Sequence, residues 1–153
     1  MKKFANKRVR IYTYGDVSTG LLEVQNAVNK ELNIIRNETI IEIFDKLVND
    51  SPYGDPTLWK SKPPKDYHPG HFKSNWQISR RNPATSIINS VSLTPTADHI
   101  RNATSGETLY IANNVPYALR LEEGWSTQRP AGWVRKTMAM AESIIEKLAK
   151  EGG

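Results

Sequence analysis

The feature that most constrains this fold is an apolar stripe of helical spacing that runs through residues 19–49. Its members recur every three or four residues: Leu21, Val24, Val28, Leu32, Ile35, Ile40 or Ile41, Phe44, and Leu47 or Val48. This spacing predicts an amphipathic helix about 45 Å long, which exceeds the diameter of a small domain. We therefore expect the helix either to break near residues 33–37 or to lie across a sheet and protrude. The stripe itself is predicted to be a core face rather than a partner-binding face.

The length of 153 residues predicts one domain that spans residues 1–153. The chain has no cysteine, which excludes disulfides and thiolate metal ligands. It also has no apolar run of membrane-spanning length, and no apolar stretch of signal-peptide length follows the basic residues 1–10. We therefore expect a soluble protein that is made and used in a cytoplasm, with no membrane partner.

The net charge of +5 is unevenly distributed. Residues 1–10 contain five bases and no acid: Lys2, Lys3, Lys7, Arg8 and Arg10. Residues 9–14 alternate and are β-branched or aromatic, so residues 1–14 are predicted to be a basic N-terminal arm or a short strand. Such an arm attracts nucleic acid or an acidic protein surface, or is simply solvated. At the other end, residues 151–153 are predicted to be a flexible tail.

The rest of the chain predicts short elements and long loops. Residues 51–70 are rich in proline and aromatic residues and have no periodicity, which predicts an ordered loop that packs or docks on something. Strands are predicted at residues 72–79, 87–93 and 108–112, short helices at 96–103 and 116–123, and an amphipathic helix at 131–150. This order predicts an α+β fold. A small antiparallel sheet is covered by the long N-terminal helix and the C-terminal helix, with long loops rich in proline and aromatic residues.

Patterns that indicate catalysis or metal binding are sparse. His68 and His71 lie near Asp66, but the Pro-Gly pair between the histidines prevents a helical pairing of metal ligands. Glu122 and Glu123 are adjacent, and adjacent residues on a helix do not face each other. No phosphate-binding loop or serine nucleophile motif is present. We therefore expect no enzyme, no cofactor and no metal site.

Basic and aromatic residues are interleaved between residues 59 and 81. The bases are Lys60, Lys62, Lys65, Lys73, Arg80 and Arg81, and the aromatics are Trp59, Tyr67, Phe72 and Trp76. Proteins that bind single-stranded nucleic acid use such a combination. The alternative is that Phe72 and Trp76 belong to the core and the lysines are solvated. No nucleic-acid-binding module is recognisable, so a DNA-binding accessory protein remains an alternative function of another class.

Two segments, taken in order, carry a family resemblance. The first contains Tyr53-Gly54-Asp55-Pro56, Leu58-Trp59-Lys60, Pro63-Pro64, Tyr67, Gly70 and Ser74-Asn75-Trp76-Gln77. The second contains Tyr110-Ile111-Ala112-Asn113-Asn114, Pro116-Tyr117-Ala118, Leu121-Glu122-Glu123-Gly124, Ser126-Thr127-Gln128, Pro130-Ala131-Gly132 and Val134-Arg135. Together they resemble the tail-completion, or neck, proteins of tailed bacteriophages, over about residues 20–147. Arg129 and Trp133 stand where smaller residues are expected.

The resemblance implies an α+β fold, no catalysis and a place in the virion at the head–tail junction. There the protein would form part of a ring that joins the tail to the head connector and through which DNA passes as cargo. A hexamer is favoured over a dodecamer, and the implied partners are neighbouring neck, connector and tail-tube proteins. The protein would be made in the host bacterial cytoplasm. A tail terminator or minor tail protein is the alternative within this class.

The second segment is predicted to be mainly architectural. Asn113 and Asn114 are expected to adopt left-handed backbone conformations and end a strand, and Pro116 to start the helix that bears Tyr117. Gly124 is expected to allow a close approach of the chain, and Pro130 and Gly132 to start the last helix. Interface candidates are the aromatic and proline residues of the long loops: Tyr53, Trp59, Pro63, Pro64, Tyr67 and Trp125.

Overall fold

A computed structural model describes residues 17–58, 62, 63, 65, 67–91 and 93–152, with side chains from Leu22 onward. In chain order the elements are α1 (Val17–Asp50), a 3₁₀ segment (Pro56–Leu58), α2 (His71–Ser74), β1 (Trp76–Arg80), a second 3₁₀ segment (Asp98–Ile100), β2 (Leu109–Asn113), α3 (Ala118–Glu122), α4 (Trp133–Met138) and α5 (Ala141–Gly152). The predicted basic arm, Trp59 and Pro64 lie outside the described residues.

The predicted α+β class is confirmed. β1 and β2 pair antiparallel, with Trp76 opposite Asn113 and Arg80 opposite Leu109. The second half of α1 packs against β1, and α5 packs along α1. The buried apolar residues form one cluster between these elements.

Helix α1 is continuous over 34 residues, so of the two expected arrangements the break near residues 33–37 does not occur and the unbroken helix is found. At 1.5 Å per residue it is about 50 Å long. It ends where the Ser51 hydroxyl donates a hydrogen bond to the Leu47 carbonyl (2.7 Å) and Pro52 follows. Despite this length, no described helix is apolar enough to cross a membrane.

Three aromatic rings form the centre of the core. Phe72, Trp76 and Trp133 pack edge to face, with ring centroids 5.6–6.3 Å apart. Buried aromatic pairs in this geometry stabilise a core beyond the area that they bury. The Trp76 indole N–H also donates to the Ser51 hydroxyl oxygen (2.7 Å) at the end of α1. This cluster therefore ties the sheet to α1 and α4.

The predicted strand at residues 72–79 is wrong in its first part. Gly70 has a left-handed φ of 84°, and the Ser74 N–H donates to its carbonyl (2.9 Å), so the chain makes the short helix α2 before β1 begins. Glycine adopts this φ at little cost. The turn places Phe72 and Trp76 on the same core despite their separate elements.

No strand forms at residues 87–91 or 93, the described part of the predicted strand at 87–93. The buried side-chain amide of Asn75 bonds to both backbone groups of Ile88, accepting from its N–H (2.7 Å) and donating to its carbonyl (2.9 Å). A side chain thus takes the place that a neighbouring strand's backbone would occupy. The predicted helix at residues 96–103 is similarly reduced to the 3₁₀ segment Asp98–Ile100.

The predicted helix at residues 131–150 is two helices, because the chain breaks between α4 and α5 at residues 139–140. This region also contains Arg129 and Trp133, where the resemblance predicts smaller residues. Trp133 is buried in the aromatic cluster, and the Arg129 guanidinium donates to the Asp50 carbonyl and lies 3.7 Å from its carboxylate. Helix α5 continues to Gly152, so the predicted flexible tail at residues 151–153 is helical up to that residue.

Candidate functional site

The first half of α1 projects from the domain. Between residues 22 and 33 every described side chain is exposed or partly exposed, and Val28 and Leu32 are 50% and 59% exposed. The core prediction for the whole stripe is therefore wrong for this half and right for the second half, where Phe44 and Leu47 are completely buried. The physical reason is that α1 is longer than the domain that covers it. We call residues 17–33 the projecting half.

The exposed stripe does not continue the core face of α1. Successive residues turn about 100° around a helix, so Val24, Val28 and Leu32 are centred about 150° around α1 from the buried apolar residues of 41–48. Even a larger domain on the same side of α1 would leave this stripe uncovered. The stripe therefore faces away from the core of its own domain.

The loop at residues 101–107 marks where α1 leaves the domain. The Arg36 guanidinium donates to the carbonyls of Thr104 (2.9 Å) and Glu107 (3.3 Å). The buried Asn37 amide donates to the carbonyls of Ala103 (2.8 Å) and Arg101 (3.1 Å). These hydrogen bonds pair the backbone carbonyls of a turn that has no neighbouring strand. They also fix the point at which the projecting half begins.

The Glu107 carboxylate holds the same loop to the sheet. It accepts hydrogen bonds from Arg80, from Arg81 (3.0 Å) and from the Thr104 N–H (2.9 Å). The Arg80 hydrogen bond is the main cause that lowers the pKa of Glu107 to about 2, with the Thr104 N–H second. Arg80 and Arg81 were candidates for a nucleic-acid-binding surface, and both are paired with the Glu107 carboxylate.

Two of the aromatic residues that were expected to stack on nucleic-acid bases are not on the surface. Phe72 and Trp76 are buried in the core, so they present no face to a base. His71 does not approach a metal ligand set: its Nδ1 lies 3.1 Å from the Tyr117 hydroxyl. Among the described residues, no three His, Cys, Asp or Glu side chains lie close enough together to hold a metal ion.

Tyr53 is held by its backbone, with its ring in solvent. Its carbonyl accepts from the Gly70 N–H (2.7 Å), and its side chain is 63% exposed. The next residue, Gly54, accepts from the Tyr67 hydroxyl (2.8 Å) and donates to the Gln128 side chain (3.2 Å). A rigid backbone with an exposed aromatic ring suits a contact residue, because little entropy is lost on binding.

Tyr67 has an internal role instead. It is partly buried, packs edge-on against Tyr117 with ring centroids 6.5 Å apart, and its pKa is raised by burial. Pro63 is also partly buried, whereas Trp59 and Pro64 lie outside the described residues. The loop candidates thus divide into an exposed residue, Tyr53, and a partly buried residue that anchors the loop, Tyr67.

Trp125 is the most exposed aromatic residue of the described chain, at 72%. The Arg120 guanidinium lies 5.3 Å from its ring centroid, and the Trp125 N–H donates to the Arg120 carbonyl (3.1 Å). Leu119, in the same short helix, is also largely exposed. Together these residues form a second exposed apolar surface, separate in sequence from the projecting half.

The architectural motif works partly as predicted. Gly124 has a left-handed φ of 87°, and a Cβ there would lie 3.0 Å from the Ala131 Cβ, so the predicted close approach is found. Gly132 also has a left-handed φ (76°), directly before α4. Pro116 is exposed, and α3 begins at Ala118, two residues later than Pro116 predicted.

The two asparagines do not adopt the expected left-handed conformation; Arg81 is the residue other than glycine with positive φ in the described chain. They act through their side chains. The Asn113 amide donates to the Phe72 carbonyl (2.9 Å), and the Asn114 amide donates to the Ala84 carbonyl (2.8 Å). Glu122 is also structural, because its carboxylate accepts from the Val134 N–H (2.8 Å) at the start of α4.

Comparison of the chain with protein-family models, curated proteins and solved structures finds no match.

Proposed function

We propose that this chain is a structural virion protein at the head–tail junction of a tailed bacteriophage, a neck or tail-completion subunit. It would form part of a ring that joins the tail to the head connector and lets DNA pass. The proposal rests on the sequence resemblance for its place and on the projecting half of α1 for its mode of action. The protein would act by assembling, without a cofactor.

The projecting half is the observation that supports assembly. Its stripe of Val24, Val28 and Leu32 is partly to largely exposed and faces away from the core. Fully burying one Val or Leu side chain stabilises a complex by about 1.5–3 kcal/mol. Association costs about 4–15 kcal/mol. Val28 and Leu32 are only 50% and 59% exposed in the free subunit, so a pair of helices gains about half of this amount per side chain. That gain is comparable to the cost of association, and stable assembly therefore needs several contacts per subunit.

A ring meets that requirement. In a head-to-tail ring each subunit uses two different surfaces, and closure makes every contact simultaneous. This chain offers such different surfaces in the projecting half, in Tyr53, and in the Leu119–Trp125 region, which lie on separate elements. Stoichiometry, with six copies favoured over twelve, is then set by the angle between the surfaces.

The test is a complementation experiment with matched variants. Leu32→Asp places a charge in the stripe, whereas Asn26→Asp places the same charge on an exposed position about 160° around the same helix from the centre of the stripe. Both variants should keep the unfolding free energy of the parent. We expect Leu32→Asp to abolish ring formation, which sedimentation measures, and to abolish the yield of infectious particles. Asn26→Asp should preserve both.

Electron microscopy with a gold-labelled antibody to this chain tests the place. Label confined to the head–tail junction of purified particles would support the neck proposal. Label elsewhere on the tail would favour a minor tail protein. If neither intact nor disrupted particles bind the antibody, the virion proposal is wrong, and sub-micromolar DNA binding that weakens steeply with salt would favour the accessory protein.

A further inference from the structure

The sheet has an open edge on β2. The Arg81 N–H donates to the Thr108 carbonyl (2.8 Å), which fixes the alternation of bonded pairs along β1 and β2. In an antiparallel ladder every second residue turns its backbone groups outward. On β2 these residues are Leu109, Ile111 and Asn113, and no hydrogen bond to their outward backbone groups is found within the described parts of the chain.

The corresponding edge of β1 is occupied. The His99 imidazole Nε2 lies 3.2 Å from the outward carbonyl of Ile78, and the 3₁₀ segment that carries His99 packs on β1. Within the part of the chain that the structure describes, the outward backbone groups of β2 have no such partner, and its Leu-Tyr-Ile-Ala-Asn sequence contains neither proline nor charge. An edge strand without these protections is a template for pairing with another strand. A sheet of two strands is also marginal by itself.

The chain contains a matching segment outside the described residues. Residues 9–14, Val-Arg-Ile-Tyr-Thr-Tyr, alternate and are rich in β-branched and aromatic residues, and these six residues are long enough to pair with the five residues of β2. We propose that residues 9–14 of one copy add as a third strand to β2 of a second copy. This deepens the proposed ring by naming a contact between its subunits.

The geometry of α1 excludes the same pairing within one copy. Arg36 bonds to the loop that enters β2, and Ser51 bonds to Trp76, which pairs with the far end of β2, so α1 runs along the sheet. From Arg36 the helix continues away from the sheet for about 28 Å to Val17. Residues 15 and 16 span about 7 Å at most. The strand therefore cannot return to its own β2.

Charge selects the direction of the added strand. An antiparallel arrangement places Lys7 and Arg8 at the Asn113 end of β2. There Glu123 lines the same cleft as Asn113, and among the described residues it has no ion pair. A parallel arrangement would place these bases near Glu107, which already pairs with Arg80 and Arg81. The antiparallel arrangement therefore brings these bases to an acid without an ion pair among the described residues, beside Arg135, whose guanidinium is already paired with Glu122.

Hydrogen exchange of the Ile111 amide in the purified full chain tests the inference, independently of any virion. Two variants are needed, Ile11→Pro and Tyr12→Pro, because adjacent residues direct their N–H groups to opposite edges and one of them must face β2. Ile11→Val is the matched control that keeps the strand. Both proline positions precede α1, so near-ultraviolet circular dichroism of the tryptophan cluster should be unchanged.

We expect Ile111 exchange in the parent and in Ile11→Val to be slowed about tenfold or more, since exchange then requires opening of the added strand. The slowing should disappear on dilution and in at least one proline variant. Slowing that survives dilution would mean pairing within one copy and would overturn the inference. Equal exchange in the parent and both proline variants would also overturn it. A positive result with no antibody label on virions would leave the strand exchange standing and remove the neck proposal.

Discussion

The two halves of α1 have similar residues but differ in how far their apolar side chains are buried. Leu47 in the second half is completely buried, whereas Leu32 in the first half is 59% exposed, although both belong to apolar stripes of helical spacing. The difference arises where Arg36 and Asn37 bind the loop at residues 101–107, since beyond that point the domain provides no surface for the helix to cover. An apolar stripe therefore predicts that a face is to be buried, but it does not identify the surface that buries it.

The largest effect is expected from one substitution made in both halves. Leu47→Ala should lower the unfolding free energy by about 2–5 kcal/mol, because it leaves a cavity in the core. Leu32→Ala should change it by less than about 0.5 kcal/mol, as for other surface positions, and weaken self-association instead. Denaturant titration of the dilute protein measures the first quantity, and sedimentation measures the second. Equal losses of stability would show that the projecting half packs on its own domain.

A smaller effect is expected at the boundary between the halves. Asn37→Ala removes the donor to the carbonyls of Ala103 and Arg101 in a buried place, and should cost about 1–3 kcal/mol. Asn29→Ala makes the same change at an exposed position of the projecting half, where we expect less than about 0.5 kcal/mol. Urea unfolding of the two variants compares them. If Asn29→Ala were as costly as Asn37→Ala, the helix would be anchored well before residue 37.

The loop that holds the boundary should respond to acid. The pKa of Glu107 is lowered in the folded protein to about 2, mainly by the Arg80 hydrogen bond, so its ionised form stabilises the fold at pH values above the ordinary carboxyl range. That contribution should fall as the pH decreases from about 4.5 to about 2. Glu107→Gln should therefore be less stable than the parent at neutral pH and approach it at low pH. A stability difference that does not change with pH would contradict this assignment.

The smallest effect on stability is expected at Trp125, the other exposed apolar surface. Its ring is 72% exposed and contacts the Arg120 guanidinium, so Trp125→Ala should cost no more than about 1 kcal/mol, the value of an exposed cation–π pair. In the proposed ring we expect it to weaken assembly as Leu32→Ala does. Sedimentation of both single variants and the double variant tests this comparison. Intact rings in Trp125→Ala would leave the projecting half as the dominant contact.

Local chemistry made several features predictable. The stripe at residues 19–49 predicted a long helix, and the turn residues after Asp50 predicted its end. Gly124 was identified as a point of close approach because only glycine tolerates that φ and distance. The order of elements predicted the α+β class, since a small sheet needs helices to cover one face.

Predictions failed where a side chain from a distant part of the sequence replaced a backbone partner. Residues 87–91 have strand-like composition, yet the Asn75 amide takes both backbone bonds of Ile88. Asn113 and Asn114 were expected to bend the backbone, but they bind the carbonyls of Phe72 and Ala84. Such hydrogen bonds join residues that are far apart in the chain, so no local sequence pattern predicts them.

By itself the sequence determined a helical pattern over residues 19–49, a small α+β core and the absence of disulfides, because spacing, turn residues and the lack of cysteine act locally or by exclusion. Only the tertiary structure decided which half of the helix is buried, which aromatics are core and which edge of the sheet stays open. Those outcomes depend on where the domain ends relative to α1, and the boundary at Arg36 and Asn37 is set by hydrogen bonds to a loop more than sixty residues later. Burial depends on two surfaces that pack together, and the local sequence of α1 describes only one of them.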